Sequence, residues 1–474
     1  MILTLVIVFF IGYLAIALEH PLRIDKSALA LLLGMILWIV YALGCDTLAD
    51  PVKVQAYVEE NARSMSGLSY HEQCMQYILN VDIVESLGEI AQTLLFLIGA
   101  MTIVELIDRY GGFNIIVRKI HASNKRGLMW VLALMAFFLS CILDNMTSTI
   151  IMVMMLRRML ANKKERWIFA CVIVIAANSG GAWSPIGDIT TIMLWMKNYV
   201  SSVDLILNLL IPSLVSVVIP TWIASHYVKN EPVEQLNTQD QRIGYEMSSH
   251  HRNLSILILI CGVAGLLFVP IFKSTTHLPP YMGILISLGG LWLLTELIVR
   301  HYRLDGKIEG RISQVVRHID MSTILFFLGI LLSVGALQQA GILNYIAHWL
   351  NDNIHEPYTI NGIIGILSSI VDNVPLVAAC MNMYPVMTDA MVAASADPTY
   401  AALFVEDGLF WHLLTFCAGV GGSLLIIGSA AGVVAMGIEK IPFLWYAKRI
   451  TWLAFLGYVA GIAVIWLETL FISI

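Results

Sequence analysis

Charge is what this 474-residue chain has least of. Asp, Glu, Lys and Arg together make up 13%, where a soluble globular domain carries about 25%. There is no charged tail, no low-complexity tract and no stretch that reads as a soluble module. H-E-x-x-H, G-x-S-x-G and P-loop motifs are also missing. These absences exclude a soluble enzyme and a nucleic-acid-binding protein. Cysteine is sparse and scattered, with 7 residues in all. Cys141, Cys171, Cys261, Cys380 and Cys417 read as membrane packing, whereas Cys45 and Cys74 share one loop and are candidates for a disulfide.

What the chain has instead is apolar sequence, 58% of its residues. A bilayer core of about 30 Å takes ~20 apolar residues per helix. Spans are expected at 2–18, 27–44, 87–107, 167–197, 205–227, 254–272, 281–299, 320–340, 407–438 and 451–472. The first run has no basic residues before it and no small-residue cleavage site, so it reads as a retained span with an external N-terminus. The C-terminus is expected outside as well. Two more apolar stretches, 128–160 and 358–388, carry a polar break in the middle.

Basic residues mark cytoplasmic connections. Of the 27 Lys and Arg, 23 fall in six connections, 19–27, 108–127, 157–166, 228–253, 300–319 and 438–450. The segment 128–160 has basic loops at both ends, so both ends are cytoplasmic and the segment dips in and returns. The segment 358–388 is flanked by Asp352, Glu356, Asp389, Asp397, Glu406 and Asp407, so both its ends are external. Two ordinary crossings per segment are the alternative, but 33 and 31 residues are short for that.

Opposed hairpins imply an internal repeat of inverted topology. Phe96-Leu97-Ile98-Gly99 recurs as Phe327-Leu328-Gly329-Ile330, and Gly112 as Gly341. Asp144-Asn145 recurs as Asp372-Asn373, Gly180-Gly181 as Gly421-Gly422, and Ile186-Gly187 as Ile427-Gly428. The matches keep their order, with offsets drifting from 231, 229 and 228 to 241. The expected fold is an all-α polytopic membrane protein with inverted-topology repeats, each holding a re-entrant helical hairpin and an interrupted transmembrane helix. Residues 1–86 would form an N-terminal scaffold, 87–228 the first repeat, 229–319 connecting spans and cytoplasmic loops that belong to the scaffold, 320–438 the second repeat and 439–474 the last span.

Non-helical backbone at membrane depth is tolerated where it is buried in protein or lines a wet cavity. Four such breaks occur, at two hairpin tips and two interrupted spans. Gly at the breaks permits unusual backbone angles, and Pro185 removes a helix donor. Freed carbonyls, Asn and Ser/Thr oxygens and a carboxylate are hard ligands suited to a small cation. Asp144, Asp188 and Asp372 are the deepest ionisable residues, and an intramembrane carboxylate is a functional candidate because its insertion costs about 2.5–3.5 kcal/mol. Capping a half-helix is the alternative, strongest for Asp188, which follows Pro185 and Gly187. Asp144 and Asp372 are the candidates for the proton-coupling group, Asp144 first.

The motifs LDNMTST at Leu143–Thr149, NSGGAWSPIGDITT at Asn178–Thr191, VDNVPLVAA at Val371–Ala379 and GGSLLIIGSAAG at Gly421–Gly432 resemble those of the NhaD-type sodium/proton antiporters of the ion transporter superfamily. That family is similar in architecture to divalent-anion/sodium symporters and arsenite pumps. The resemblance covers nearly the whole chain and is densest from 87 to 440. It implies a multi-pass homodimer in the lipid of a bacterial cytoplasmic membrane, with a scaffold part and a mobile transport part and no organic cofactor. It implies cation sites at each hairpin tip and its interrupted helix. Those residues are Asp144, Asn145, Thr147, Asn178, Ser179 and Asp188 in one half, and Asp372, Asn373, Gly421 and Ser423 in the other. Asp144, Asn145, Asp372 and Asn373 are the expected Na⁺ or Li⁺ ligands. Ile426 and Ser429 stand where the first half has Pro185 and Asp188, so the two sites are expected to be unequal. The expected activity is exchange of cytoplasmic Na⁺ or Li⁺ for external H⁺ by alternating access. A sodium-coupled symporter of a carboxylate on the same scaffold is the alternative, although acidic tips would repel an anion. A passive cation channel is a third reading, and opposed hairpins argue against its continuous pore.

Overall fold

A computed structural model describes residues 1–17, 24–112, 122, 124–232, 249–301, 315–319, 321–370 and 373–472. Asp372 lies outside the described residues, as do the loop residues Arg23, Arg118, Lys119, Arg242, Arg303, Lys307 and Arg311. The regular structure described is helical. Among the described residues, eight helices are long and apolar enough to cross a membrane. Their outward faces stay apolar: Val203, Leu207 and Ile211 recur at helical spacing on Ser202–His226 and are all exposed. A water-soluble surface does not carry such stripes, so the chain is a multi-pass membrane protein.

The polar breaks fall where the sequence places them. The segment 167–197 is two helices, Lys163–Ala182 and Ile189–Met196, and 407–438 is Leu409–Gly421 and Ala430–Glu439. Each break splits a long apolar run, and the eight residues of Ile189–Met196 span only about 12 Å. The first hairpin consists of Lys125–Leu143 and Asn145–Met159, joined by Asp144 alone. Its first arm, with 19 residues, rises about 28 Å and is itself one of the eight membrane-length helices. The second hairpin is shorter, with arms Pro357–Ser368 and Asn373–Met383.

Two compact units emerge, each assembled from several segments. The first comprises Met1–Ile98, Asp320–His355 and Ala378–Pro385. Its axis is the pair Lys26–Leu43 and Met321–Gln339. Gly34 and Gly329 let the backbones of that pair meet, because a Cβ on Gly34 would sit 2.7 Å from the Gly329 carbonyl oxygen. Small residues at such a crossing are how membrane helices gain contact without a hydrophobic driving force. Two hydrogen bonds lock the register: Trp38 Nε1 donates to the Leu332 carbonyl at 3.0 Å, and Ser27 Oγ to that of Ser322 at 2.7 Å.

The second unit comprises Gly99–Ile319, Glu356–Val377 and Val386–Ile474. Both hairpin tips and both interrupted helices belong to it. One end of this unit carries an ion-pair cluster. Lys125 pairs with Glu165 at 3.0 Å and with Glu231 at 3.1 Å, and the buried Glu439 pairs with Arg166 at 3.0 Å and Arg157 at 3.5 Å. Trp167 Nε1 also donates to the Glu439 carbonyl. The start of the first hairpin at Lys125 therefore reaches Glu165 at the start of Lys163–Ala182, and its end at Arg157 reaches Glu439 at the end of Ala430–Glu439, which also holds Arg166. A second polar cluster joins Asp204, His412, Asp407 and Ser201: His412 Nε2 lies 3.0 Å from Asp204, and Ser201 N donates to Asp407.

Candidate functional site

The first interrupted helix stops at Ala182 and restarts at Ile189. Asp188 is the N-cap of the restart: its Oδ1 accepts from Thr190 N at 3.0 Å and Thr190 Oγ1 at 3.1 Å. A capping box closes with Thr191, whose Oγ1 accepts from Asp188 N at 3.2 Å. The local sequence explains this much, since Asp with Thr three residues later is a helix-start signal. What the local sequence does not show is the other oxygen. Asp188 Oδ2 accepts from Asn145 Nδ2 of the first tip at 2.7 Å and from Asn373 Nδ2 of the second tip at 3.3 Å. One carboxylate, 2% exposed, is thus the point where the two hairpin tips meet.

Asn178, one turn before the break and fully buried, extends the network to the other interrupted helix. Its Oδ1 accepts from Asn145 Nδ2 at 3.1 Å, and its Nδ2 donates to Ser423 Oγ at 2.9 Å and Ser429 Oγ at 2.8 Å. Ser429 is the N-cap of Ala430–Glu439 and accepts from Gly432 N. It was not among the residues expected from the sequence, although it stands at the position matching Asp188. Backbone angles show how close that match is: φ −146°, ψ 150° at Asp188 and φ −146°, ψ 153° at Ser429.

Equivalent contacts fasten each interrupted helix to its hairpin. Ser140 Oγ donates to the Ala177 carbonyl at 2.6 Å, and Ser368 Oγ to the Ala418 carbonyl at 2.9 Å. A Cβ on Gly180 would overlap the carbonyl of Phe137, and one on Gly421 would overlap that of Gly365. Gly421 is therefore a close-packing position. Ser140 and Ser368 are a further pair the sequence reading passed over; they stand four residues before Asp144 and Asp372, at the same offset of 228.

The remaining expected residues take other partners. Asp144 accepts from Thr147 N at 2.7 Å and Thr147 Oγ1 at 2.9 Å, capping the second arm of its hairpin. Its φ of 106° is a conformation natural to glycine, at a cost of order 1–3 kcal/mol for another residue. The strained turn aims the adjacent Asn145 at Asp188. Ser179 Oγ accepts from Ser216 at 2.9 Å, on the neighbouring helix Ser202–His226. Asp372 lies outside the described residues, one position before Asn373.

The assembled site is a buried carboxylate, three asparagine amides and two serine hydroxyls at broken helices. Nothing in that set is a nucleophile beside a base, and all of it is oxygen or amide chemistry suited to holding a hard cation. The family described as citrate transporter matches residues 8–405. The chain belongs to the citrate transporter family. It is 40% identical to Sodium/proton antiporter 2 of Arabidopsis thaliana over 456 residues, 96% of this chain and 97% of that protein. Sodium/proton antiporter 1 of the same plant is 40% identical over 457 residues, 96% of this chain and 71% of that protein. The Na⁺/H⁺ antiporter NhaD of Vibrio cholerae is 28% identical over 482 residues, 96% of this chain and 89% of that protein. Membership makes this chain a transporter and not an enzyme. Since the relatives come from a plant as well as from bacteria, similarity alone does not restrict it to a bacterial membrane.

Proposed function

We propose that this chain performs the exchange for which its relatives are named, Na⁺ or Li⁺ against H⁺, with Asp188 as the group that carries the cation and the proton in turn. The observation that carries this reading is the convergence of Asn145 and Asn373 on the buried Asp188 carboxylate. An ionised carboxylate needs hydrogen-bond donors when buried, and the two tips supply them. A half-turn of either amide replaces its NH₂ by its oxygen, which converts a donor to the carboxylate into a ligand beside it. Asn178 Oδ1 already faces Asn145 and adds another oxygen. Na⁺ binding therefore requires Asp188 without its proton, and protonation of Asp188 removes the charge that holds Na⁺. Competition for one carboxylate couples the two fluxes in opposite directions.

The repeat is of inverted topology in this reading, with both hairpins re-entrant. The paired contacts Ser140–Ala177 and Ser368–Ala418, the paired glycines and the matched caps Asp188 and Ser429 support it. The Lys125–Arg157–Glu439 end faces the cytoplasm, as its basic residues suggest, and both termini are external. The hairpins and interrupted helices are the mobile part. Two copies assemble as a dimer in the lipid of a cytoplasmic membrane.

The family description favours one other reading, sodium-coupled uptake of a carboxylate. The neutral break Gly421–Ser429 would be its anion-facing element, since half-helix N-termini attract anions. A ΔpH dye assay in everted vesicles separates the two. Exchange predicts that Na⁺ or Li⁺ dissipates a preformed proton gradient with no carboxylate present, and that K⁺ does not. A response that appears only when citrate is added with Na⁺ would replace exchange by symport.

A further inference from the structure

Outside the transport site, the first unit holds a compact cluster of metal-ligating side chains in the 45–77 connection. Cys45 and Cys74 are both fully buried and form no disulfide. One donor atom from each of Cys45, Asp46 and Cys74 lies within 4.8 Å of the others. His71 Nδ1 stands beside two of these three, 3.4 Å from Cys45 Sγ and 3.0 Å from Asp46 Oδ2. His71 and Cys74 stand three residues apart on the helix Tyr70–Tyr77, a spacing that puts both on one face.

We propose that Cys45, Asp46, His71 and Cys74 bind one divalent transition-metal ion of the zinc class. Two sulfurs, an imidazole and a carboxylate are the donor set of tetrahedral zinc, with Zn–S near 2.3 Å and Zn–N and Zn–O near 2.0–2.1 Å. Those bond lengths make the edges of the tetrahedron about 3.3–3.8 Å. The His71–Cys45 and Asp46–Cys45 separations, 3.4 and 3.8 Å, fall there, and the His71–Asp46 contact at 3.0 Å would open by a few tenths of an ångström around an ion. Thiolate donors select zinc-class ions over the hard Na⁺ of the transport site. Asp46 and His71 are half exposed, which gives an ion a route to the two buried sulfurs.

Local structure supplies the reason for a staple. The connection between Leu43 and the Tyr70 helix is folded into short pieces, Cys45–Leu48, Pro51–Glu60 and Ala62–Met65. Few of its side chains are buried apart from Leu48, Ala49, Val54 and Met65, too small a core to hold so many short helices. An ion shared by Cys45–Leu48 and Tyr70–Tyr77 ties the first of these pieces to the last. Metal binding must displace the thiol protons.

The test uses the full-length chain, purified in detergent, incubated with Zn²⁺ and freed of excess. Elemental analysis should find one zinc per chain. Cobalt in its place should show thiolate-to-cobalt charge-transfer absorption. Cys45→Ser and Cys74→Ser should lose both signals. Asp46→Asn and His71→Gln, at half-exposed positions, leave the fold in place and should weaken zinc binding at least tenfold, an estimate from the usual effect of disturbing a ligand shell, about 10–100-fold. Alkylation followed by mass spectrometry should find Cys45 and Cys74 blocked until a chelator is added. Release by a reductant but not by a chelator would mean a disulfide and overturn the proposal. Free reaction of both thiols after zinc loading would overturn it as well.

Discussion

The two interrupted helices share a backbone and differ in charge. Each stops at a glycine-rich break, packs a glycine against a hairpin carbonyl, receives a serine bond from its hairpin and restarts on a cap with nearly the same φ and ψ. At that cap the first half has Asp188 and the second has Ser429. The tips of both hairpins turn to the carboxylate, while the hydroxyl of Ser429, besides capping its helix at Gly432 N, receives the amide of Asn178 and neither tip asparagine among the bonds described. In the proposed exchange these two similar breaks would do different jobs: the first would supply the titratable charge, and the second half an amide to it and a neutral break to brace it.

That contrast predicts a ranking of effects. Asp188→Asn keeps the size and the capping ability of the residue but removes the charge, and Na⁺/H⁺ exchange in proteoliposomes should fall at least ~100-fold, since a hard cation loses its only anionic ligand of the set. Ser429→Ala removes a cap and one acceptor, costs about 1 kcal/mol of stability, and should leave exchange coupled. Equal loss from both substitutions would break the asymmetry.

Next come the glycines. Gly180→Ala and Gly421→Ala force a methyl into a hairpin carbonyl, and overpacking of this kind costs roughly 1–3 kcal/mol. Both variants should show lower thermal unfolding temperatures in detergent, by similar amounts, because this feature is common to the two halves. A drop confined to one would separate scaffolds that the account treats as equivalent.

The tip asparagines should affect affinity before turnover. Asn145→Ala and Asn373→Ala each delete one neutral partner, worth about 1–2 kcal/mol, so the apparent KM for Na⁺ should rise about 5–30-fold. Asn145→Ala should be the more severe, since Asn145 also bonds to Asn178. Asp144→Asn should have the smallest effect. Asn caps a helix as well as Asp does and tolerates a positive φ, so exchange should stay within about threefold of wild type. A large loss would return the coupling role to the hairpin tip.

Much of the fold was legible in the sequence because breaks in membrane helices are costly and announce themselves. Asp144, the run from Trp183 to Asp188 and the run from Gly422 to Ser429 interrupt long apolar segments with residues that have no other reason to be there, and the helices end at those points. Ranking the carboxylates was harder. Asp144 and Asp188 are each followed by a Thr three residues later, at Thr147 and Thr191, so both carry a helix-cap signature. Only tertiary packing reveals that two asparagines from distant segments face one of them. His71 beside Cys45 was illegible for the same reason, the two being brought together by a series of short helices that no periodicity marks.

The most direct test of the central claim is the apparent KM for Na⁺ as a function of pH, in wild type and in Asp188→Asn, reconstituted in proteoliposomes. If proton and cation share Asp188, wild-type KM falls as pH rises, by up to about tenfold per unit while the proton is being displaced, and levels off once the carboxylate is ionised. Asp188→Asn has no exchange to titrate. A wild-type KM that does not change with pH, or exchange by Asp188→Asn at the wild-type rate, would contradict the shared-carboxylate mechanism.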